Sequence, residues 1–348
     1  MNFDCNICYL SKGCMNEDLS EKLTYNPIFD IFENKLKLPV PMFQLIRPDF
    51  DSDTVSAVLE YVLENFLLDS NIFGIDASRD PHNAKDKSMI MLYQPNIRLE
   101  GIKNDPLDDT EKYILGKYEE FNLQVVEELA NFLQTNVFRG LKSDDLVVDT
   151  INLLGLEKRI ALALNLTVVP EGEETILTWS ELKESMNAYV EPKHVDILEV
   201  TQKLMKRISD IDFQDDTKLV VPDLSYFKQL NEILNMTPPR DIINYLLFGE
   251  VKKLLPLTTR KMQLLFAQFN VDIGKDSGLQ SREGTCLDLA TEYFGAKVAQ
   301  LYSKRFHGEA TKNLTETLIE DLRKLTVNGE LTLNYKMRHS RAFTNADS

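Results

Sequence analysis

The sequence predicts a mainly α-helical protein with one small β-hairpin near residues 71–99. Two observations support this prediction. Apolar residues recur every three or four positions over most of the chain, and one short region instead has two strand-like runs around turn-forming residues. The 348 residues, 43% hydrophobic and 27% charged, are enough for a sizeable soluble core. We expect one cooperative helical body, with two lobes as the alternative.

Helical periodicity places an apolar stripe on one face of many segments. Residues 53–70 carry such a stripe, and Ser52 or Asp53 is the predicted N-cap. The stripe consists of Val55, Val58, Leu59, Val62, Leu63 and Phe66. Further helices are predicted at 108–133, 156–165, 193–209, 223–235, 239–254, 287–304 and 311–325. The first of these is expected to be interrupted or loosened at Gly116. We interpret the stripes as core packing.

Residues 71–99 lack helical periodicity and are predicted to form a strand, a polar loop and a second strand. Its aspartates Asp76, Asp80 and Asp86 lack the ligand spacing, central glycine and terminal glutamate of an EF-hand, so we interpret them as solvated turn carboxylates. The most loop-like stretch elsewhere is 170–178, where Thr178 or Ser180 is expected to open the next helix. The two regions account for the non-helical part of the prediction.

The charge balance excludes some classes of partner. The formal net charge of −16 disfavours a broad nucleic-acid or anionic-membrane surface, because such partners reward lysine and arginine. No apolar run approaches the ~20 residues that a membrane helix needs. The first residues also lack a basic start followed by an apolar stretch. We therefore expect no nucleic-acid partner, no membrane span and no signal peptide within these residues.

Three Asn-x-Thr sequons point towards the secretory pathway. They begin at Asn165, Asn235 and Asn313, which are the candidate glycosylation sites. The second is followed by Pro238, which makes it a weaker acceptor. The sequons therefore favour an extracellular protein, although each one alone is weak evidence.

The residues that could carry catalysis do not form a known pattern. None of His82, His194, His307 and His339 stands three or four residues from another, and no His-Glu-x-x-His occurs. There is also no Gly-x-Ser-x-Gly elbow, phosphate loop or dinucleotide fingerprint. We predict no catalytic and no metal-binding residue in this chain.

The four cysteines are unevenly placed: Cys5, Cys8 and Cys14 open the chain, and Cys286 stands alone. A zinc site would need a fourth ligand close by, and a redox Cys-x-x-Cys normally begins a helix in a βαβ unit. A long-range disulfide between one of the three and Cys286 is the more economical interpretation. In the loop-entropy account such a bond stabilises by up to ~5 kcal/mol.

A series of motifs resembles the N-terminal region of neprilysin-like zinc metallopeptidases, which include endothelin-converting enzyme. Their order and spacing over nearly the whole chain carry the resemblance, since no single motif is specific. The motifs are YLSKGCMNED (9–18), the hairpin of 73–100, DDTEKYILGKYEEF (108–121), LEKRIALAL (156–164), LTWSEL (177–182), the paired helices of 222–251 and the cysteine-headed segment 286–306.

The resemblance implies a disulfide between Cys14 and Cys286, because these cysteines occupy the positions that pair in the family. Cys5 and Cys8 are then left to pair with each other, to stay reduced or to bond another chain. The chain also departs from the family, since Phe248-Gly249 stands where Trp-Arg is usual. The family's His-Glu-x-x-His and its downstream glutamate ligand lie beyond the matched region. The resemblance therefore transfers no catalytic or metal residue.

The functional expectation follows from this resemblance. Residues 1–348 would form the helical, chamber-covering N-terminal domain of a peptidase whose C-terminal catalytic domain, with its zinc, is absent here. Expected partners are that catalytic domain or a full-length paralogue, and small peptides. The expected location is extracellular or plasma-membrane-associated. The alternatives are a short pseudo-enzyme or peptide-binding homologue without proteolysis, and a cytosolic helical adaptor.

Overall fold

The chain divides into two compact units in the computed structural model. The helical unit runs from Asn16 to Gln280, and the terminal unit joins Met1–Met15 to Ser281–Ser348. The structure describes residues 13–35, 37, 41–43, 50–66, 68–79, 88–97, 99, 102, 106–136, 143–165, 175–275, 281–306, 313 and 317.

Helices make up most of the described residues, which confirms the predicted fold class. In the helical unit they are α1 Glu17–Leu23, α2 Asn26–Asp30, α3 Ser52–Asn65, α4 Asp109–Asn136, α5 Ser143–Asn165, α6 Trp179–Asn187, α7 Ile197–Ser209, α8 Leu224–Asn235, α9 Pro239–Leu254 and α10 Arg260–Asp272. Short π-helical and 3-10 turns add Ile31–Lys35, Pro41–Phe43 and Leu255–Leu257. The terminal unit contains α11 Arg282–Phe306.

A four-stranded mixed sheet lies in the helical unit, with the strand order β1-β2-β4-β3. The strands are β1 Gly74–Arg79, β2 Ser88–Tyr93, β3 Thr175–Thr178 and β4 Lys218–Val221. Strands β1 and β2 form the predicted hairpin, with Ile75 opposite Leu92. Strand β4 pairs parallel to β2 and antiparallel to β3.

Two parts of the non-helical prediction are wrong. The stretch 170–178 was expected to be a loop, but its last four residues form β3. Asp76, interpreted from the sequence as a turn carboxylate, lies within β1, where its carboxylate accepts a hydrogen bond from Ala77 N at 2.7 Å. Asp80 and Asp86 lie outside the described residues. Short strands such as β3 are defined by their distant partners, which local sequence does not reveal.

Side-chain caps fix where several helices begin. Thr178 and Glu181 form a capping box at α6, which confirms one of the two predicted starts. For α3 the predicted caps are wrong, because Asp51 accepts the hydrogen bond from Thr54 N at 2.8 Å. The expected interruption at Gly116 is also wrong, since α4 continues through it. An interior glycine costs only about 1 kcal/mol, and the packing of α4 against its neighbours outweighs it.

The core of the helical unit is organised around α9. Every residue from Asp241 to Lys252 on this helix is buried, and α9 packs against both α3 and α5. Helix α4 packs against α5 and α10, which completes a continuous apolar cluster. The polar residues of a helix that is buried on all sides need hydrogen-bond or ion-pair partners. For α9, these partners belong to the candidate site.

The interior of α9 includes one close backbone approach. Asn71 Nδ2 donates a hydrogen bond to Tyr245 O at 3.2 Å, and Tyr245 OH donates to Asn71 O at the same distance. A Cβ atom on Gly249 would lie 1.3 Å from Asn71 Nδ2. The Asn71 amide can therefore reach the helix backbone only because residue 249 is glycine.

We expect Gly249→Ala to destabilise the protein by about 1–3 kcal/mol, because the added methyl displaces the Asn71 amide from Tyr245 O. In an Asn71→Ala background the same substitution should stabilise by about 1 kcal/mol, since alanine is the better helix former. Chemical denaturation gives the free energy of unfolding of all four proteins. An equal loss in both backgrounds would show that Asn71 is not the obstacle.

Candidate functional site: a disulfide and a buried charge cluster

A disulfide joins the two chain segments of the terminal unit. The Sγ atoms of Cys14 and Cys286 are bonded, and their Cα atoms lie 5.7 Å apart across a sequence separation of 272 residues. This is the pairing that the family resemblance implies. Arg282 Nε donates a hydrogen bond to Cys14 O at 2.6 Å, which adds a second link within the unit. Cys5 and Cys8 lie outside the described residues.

The sequons fall in three different surroundings. Asn165 is the last residue of α5, and the structure describes its backbone but not its side chain. Asn313 is exposed in the terminal unit, and its backbone oxygen accepts a hydrogen bond from Thr317 Oγ1 at 2.8 Å. Asn235 ends α8, and its carboxamide bonds to the backbone of Glu191 and Lys193.

A cluster of buried charges joins three helices of the helical unit. Lys252 on α9 donates to Tyr118 OH at 2.8 Å and to Asn122 Oδ1 at 3.2 Å. Its Nζ lies 3.6 Å from Glu157 Oε2 on α5, and Tyr118 OH donates to Glu157 Oε1 at 2.9 Å. The side chains of Lys252 and Glu157 are only 7% and 4% exposed. We call these four residues the lysine cluster.

The surroundings of the lysine cluster favour a fixed charge. Lys252 Nζ lies 5.1 Å from the ring centroid of Tyr118 and 5.4 Å from that of Phe248, so two aromatic faces also stabilise the cation. Burial raises the pKa of nearby Tyr245 well above its ordinary value, and the Glu157 charge raises it further. The phenol therefore stays protonated and donates its hydrogen bond to Asn71 O.

No motif in the sequence predicted the lysine cluster. Glu157 and Tyr118 lie in two of the motifs that carry the family resemblance, but nothing in either motif indicates a buried partner. One usable signal was present. Lys252 stands shortly after the largely apolar stretch 242–248 in the middle of α9. A lysine in such a helix is seldom fully buried unless it is paired.

Polar contacts also join α5 to the first turn of α9. Arg240 Nη2 donates to Asp149 Oδ2 at 2.7 Å, and Asn152 Nδ2 donates to Asp241 Oδ1 at 3.4 Å. The Asp149 side chain is 3% exposed, so this ion pair is largely shielded from solvent. Together with the lysine cluster, these contacts fix the position of α9 along α5 at both ends of the interface.

The described residues form no zinc centre. Within the described ranges, no three histidine, cysteine, aspartate or glutamate side chains converge as metal ligands. Burial and the neighbouring Lys193 charge lower the pKa of His194. His82, His307 and His339 lie outside those ranges. Across the same residues, each helix is too short or too polar to cross a bilayer.

Known proteins with similar folds are about twice as long as this chain. The zinc metalloprotease Zmp1 of Mycobacterium tuberculosis in its open state aligns with a TM-score of 0.65 and 14% identity, over 92% of this chain and 46% of that one. PepO of Lactobacillus rhamnosis HN001 aligns with a TM-score of 0.63 and 14% identity, over 92% and 46%.

Sequence comparison agrees with the structural similarity. Endothelin-converting enzyme-like 1 of Mus musculus is 22% identical over 120 residues, which are 34% of this chain and 16% of the mouse protein. Residues 6–327 match the N-terminal family model of Peptidase family M13. That match covers most of the chain and confirms the family resemblance drawn from the motifs. The chain therefore belongs to peptidase family M13, of which it carries the N-terminal domain.

Proposed function

We propose that this chain is the non-catalytic, helical lobe of an M13 zinc endopeptidase, and that it shapes and restricts the chamber in which a catalytic domain cleaves small peptides. The observation that carries the proposal is the coverage of the comparisons. The chain aligns over 92% of its own length with about half of two solved peptidases, and its described residues hold no convergent metal ligands.

The lysine cluster and the polar contacts of α9 support a rigid covering lobe. A wall that selects substrates by size must keep its shape when a peptide presses against it, and buried ion pairs with hydrogen-bonded partners resist displacement. In this proposal zinc and peptide hydrolysis belong to the catalytic domain. The expected partner of this lobe is that domain or a full-length paralogue. Small peptides would pass through the chamber without forming a lasting complex with this lobe.

We also propose that the protein acts in an extracellular or plasma-membrane-associated setting. The Cys14–Cys286 bond supports this location, because disulfides persist in oxidising compartments and are rare in the cytosol. This argument disfavours the cytosolic helical adaptor. The pseudo-enzyme and peptide-binding alternatives differ from our proposal in what the isolated chain does with peptides.

The test uses the purified chain and a chimera. Alone, the chain should hold less than 0.1 zinc per molecule by elemental analysis and should cleave no peptide in a chelator-sensitive way. The chimera, in which residues 6–327 replace the matching region of PepO, should cleave short peptides and spare unfolded casein. Chelator-sensitive cleavage by the chain alone contradicts the proposal. Saturable binding of short peptides to the chain alone, measured by calorimetry, would instead favour the peptide-binding homologue.

A further inference from the structure

Two asparagines at the end of α8 bind the backbone of one neighbouring segment. Asn231 Nδ2 donates to Val190 O at 2.5 Å, and Asn235 Nδ2 donates to Glu191 O at 2.7 Å. Asn235 Oδ1 also accepts from Lys193 N at 2.7 Å. The two side chains stand four residues apart, on one face of the helix. They fasten the segment 190–193 to α8 by three hydrogen bonds.

The rest of this sequon is also part of the fold. The side chain of Thr237 is buried, with 1% of the residue exposed, and its Oγ1 donates to Ile233 O at 2.6 Å. The same oxygen accepts from Arg159 Nη2 at 3.0 Å. Ser52 Oγ at the start of α3 also donates to Lys193 O at 3.1 Å. The segment is therefore hydrogen-bonded to both α3 and α8.

We propose that Asn235 is a structural clamp which the folded protein keeps free of glycan, and that of the sequons at Asn235 and Asn313 only Asn313 carries an N-linked oligosaccharide. The proposal applies to chains that enter the secretory pathway. In the experiment, an added signal peptide directs the chain into that pathway. It does not depend on the role of the chain in peptide hydrolysis.

The chemistry of glycosylation explains the exclusion. Transfer from a lipid-linked oligosaccharide pyrophosphate forms a bond between Nδ2 and the anomeric carbon, breaks the bond between that carbon and phosphate oxygen, releases the lipid pyrophosphate and passes one Nδ2 proton to a base. The product is a secondary amide, whose trans form places the sugar carbon on the same side as the amide oxygen.

At Asn235 this side of the carboxamide is occupied. The acceptor Glu191 O and the donor Lys193 N lie two residues apart in one segment, so they meet the edge shared by Oδ1 and Nδ2. A sugar there would replace the hydrogen that bonds Glu191 O and would push the segment off α8. Asn313, in contrast, is exposed, and the hydrogen bond from Thr317 Oγ1 goes to its backbone oxygen.

In the test, the whole chain is fused to a heterologous signal peptide and secreted from human cells that glycosylate their proteins. Peptides from the folded, monomeric fraction are treated with N-glycosidase in heavy-oxygen water, which marks each occupied asparagine as labelled aspartate. We expect Asn313 to be marked and Asn235 unmarked. A glycan on Asn235 in this fraction would overturn the proposal, and so would an unoccupied Asn313.

The proline after the sequon needs its own control, because Pro238 alone could prevent glycosylation at Asn235. In Pro238→Ala the folded fraction should still be unmarked at Asn235. A marked Asn235 in folded Pro238→Ala would assign the exclusion to the proline and overturn the clamp. The clamp also has a direct readout. Asn235→Ala should raise hydrogen exchange in residues 190–193 at least tenfold and lower the Tm by about 3 °C, whereas the matched Asn313→Ala should change neither.

Discussion

Lys252→Met is expected to lower the free energy of unfolding by about 3–5 kcal/mol. The substitution keeps most of the side-chain volume but removes the cation, so the Glu157 carboxylate stays buried without its counter-charge. It also deprives Tyr118 OH and Asn122 Oδ1 of a donor. Urea denaturation monitored by circular dichroism measures the change in the free energy of unfolding. Because α9 lies at the centre of the core, its loss should show in the helical signal.

Two comparison variants separate the loss of a buried charge from the loss of a lysine. Lys261→Met removes the cation of an ion pair with Glu128 in which the lysine side chain is 70% exposed, so it should cost less than about 1 kcal/mol. Adding Glu157→Gln to Lys252→Met removes the stranded charge and should recover much of the loss. If all three proteins lose the same stability, the lysine cluster is not a buried ion pair.

Replacing Cys14 and Cys286 together by serine should destabilise the terminal unit by about 5 kcal/mol when unfolding is measured without reductant. The reason is the length of the loop that the bond closes, because the disulfide removes more entropy from the unfolded chain when more residues lie between the cysteines. Guanidinium denaturation, followed by a probe in α11, measures the difference.

Reductant provides the control for this pair. With dithiothreitol present, the unsubstituted protein should unfold at the same denaturant concentration as the double variant, because both then lack the bond. Peptide mapping without reduction identifies the partners directly. Free thiols at Cys14 and Cys286, or a bond from either one to Cys5 or Cys8, would contradict the pairing.

The long amphipathic helices were the most predictable part of the fold. The predicted helix 239–254 has the bounds of α9, and 223–235 differs from α8 by one residue. Helix α7 begins at Ile197 rather than at residue 193, because Asp196 caps it and the preceding segment is bound to α8. Helix α5 begins at Ser143 rather than at residue 156, and α10 was not predicted. Periodicity locates such helices, but capping and packing decide their ends.

The functional features depended on information of another kind. The Cys14–Cys286 pairing came from resemblance alone, since the residues left open which of three cysteines would meet Cys286. The lysine cluster brings together Tyr118, Glu157 and Lys252 from three helices, and no local pattern encodes contacts of such long range. The structural role of Asn235 could not be predicted from the sequence either, because an Asn-x-Thr sequon is the same whether its asparagine accepts a glycan or binds a neighbouring segment.

The parallel pairing of β2 with β4 has a consequence for synthesis of the chain. Ile90 in β2 meets Leu219 in β4, so the hairpin emerges from the ribosome roughly 10 s before its neighbour at typical elongation rates. During that interval β2 presents an unpaired backbone edge, which other chains can extend. Any product that ends before Lys218 keeps this edge permanently, so incomplete chains of this domain should accumulate in aggregates.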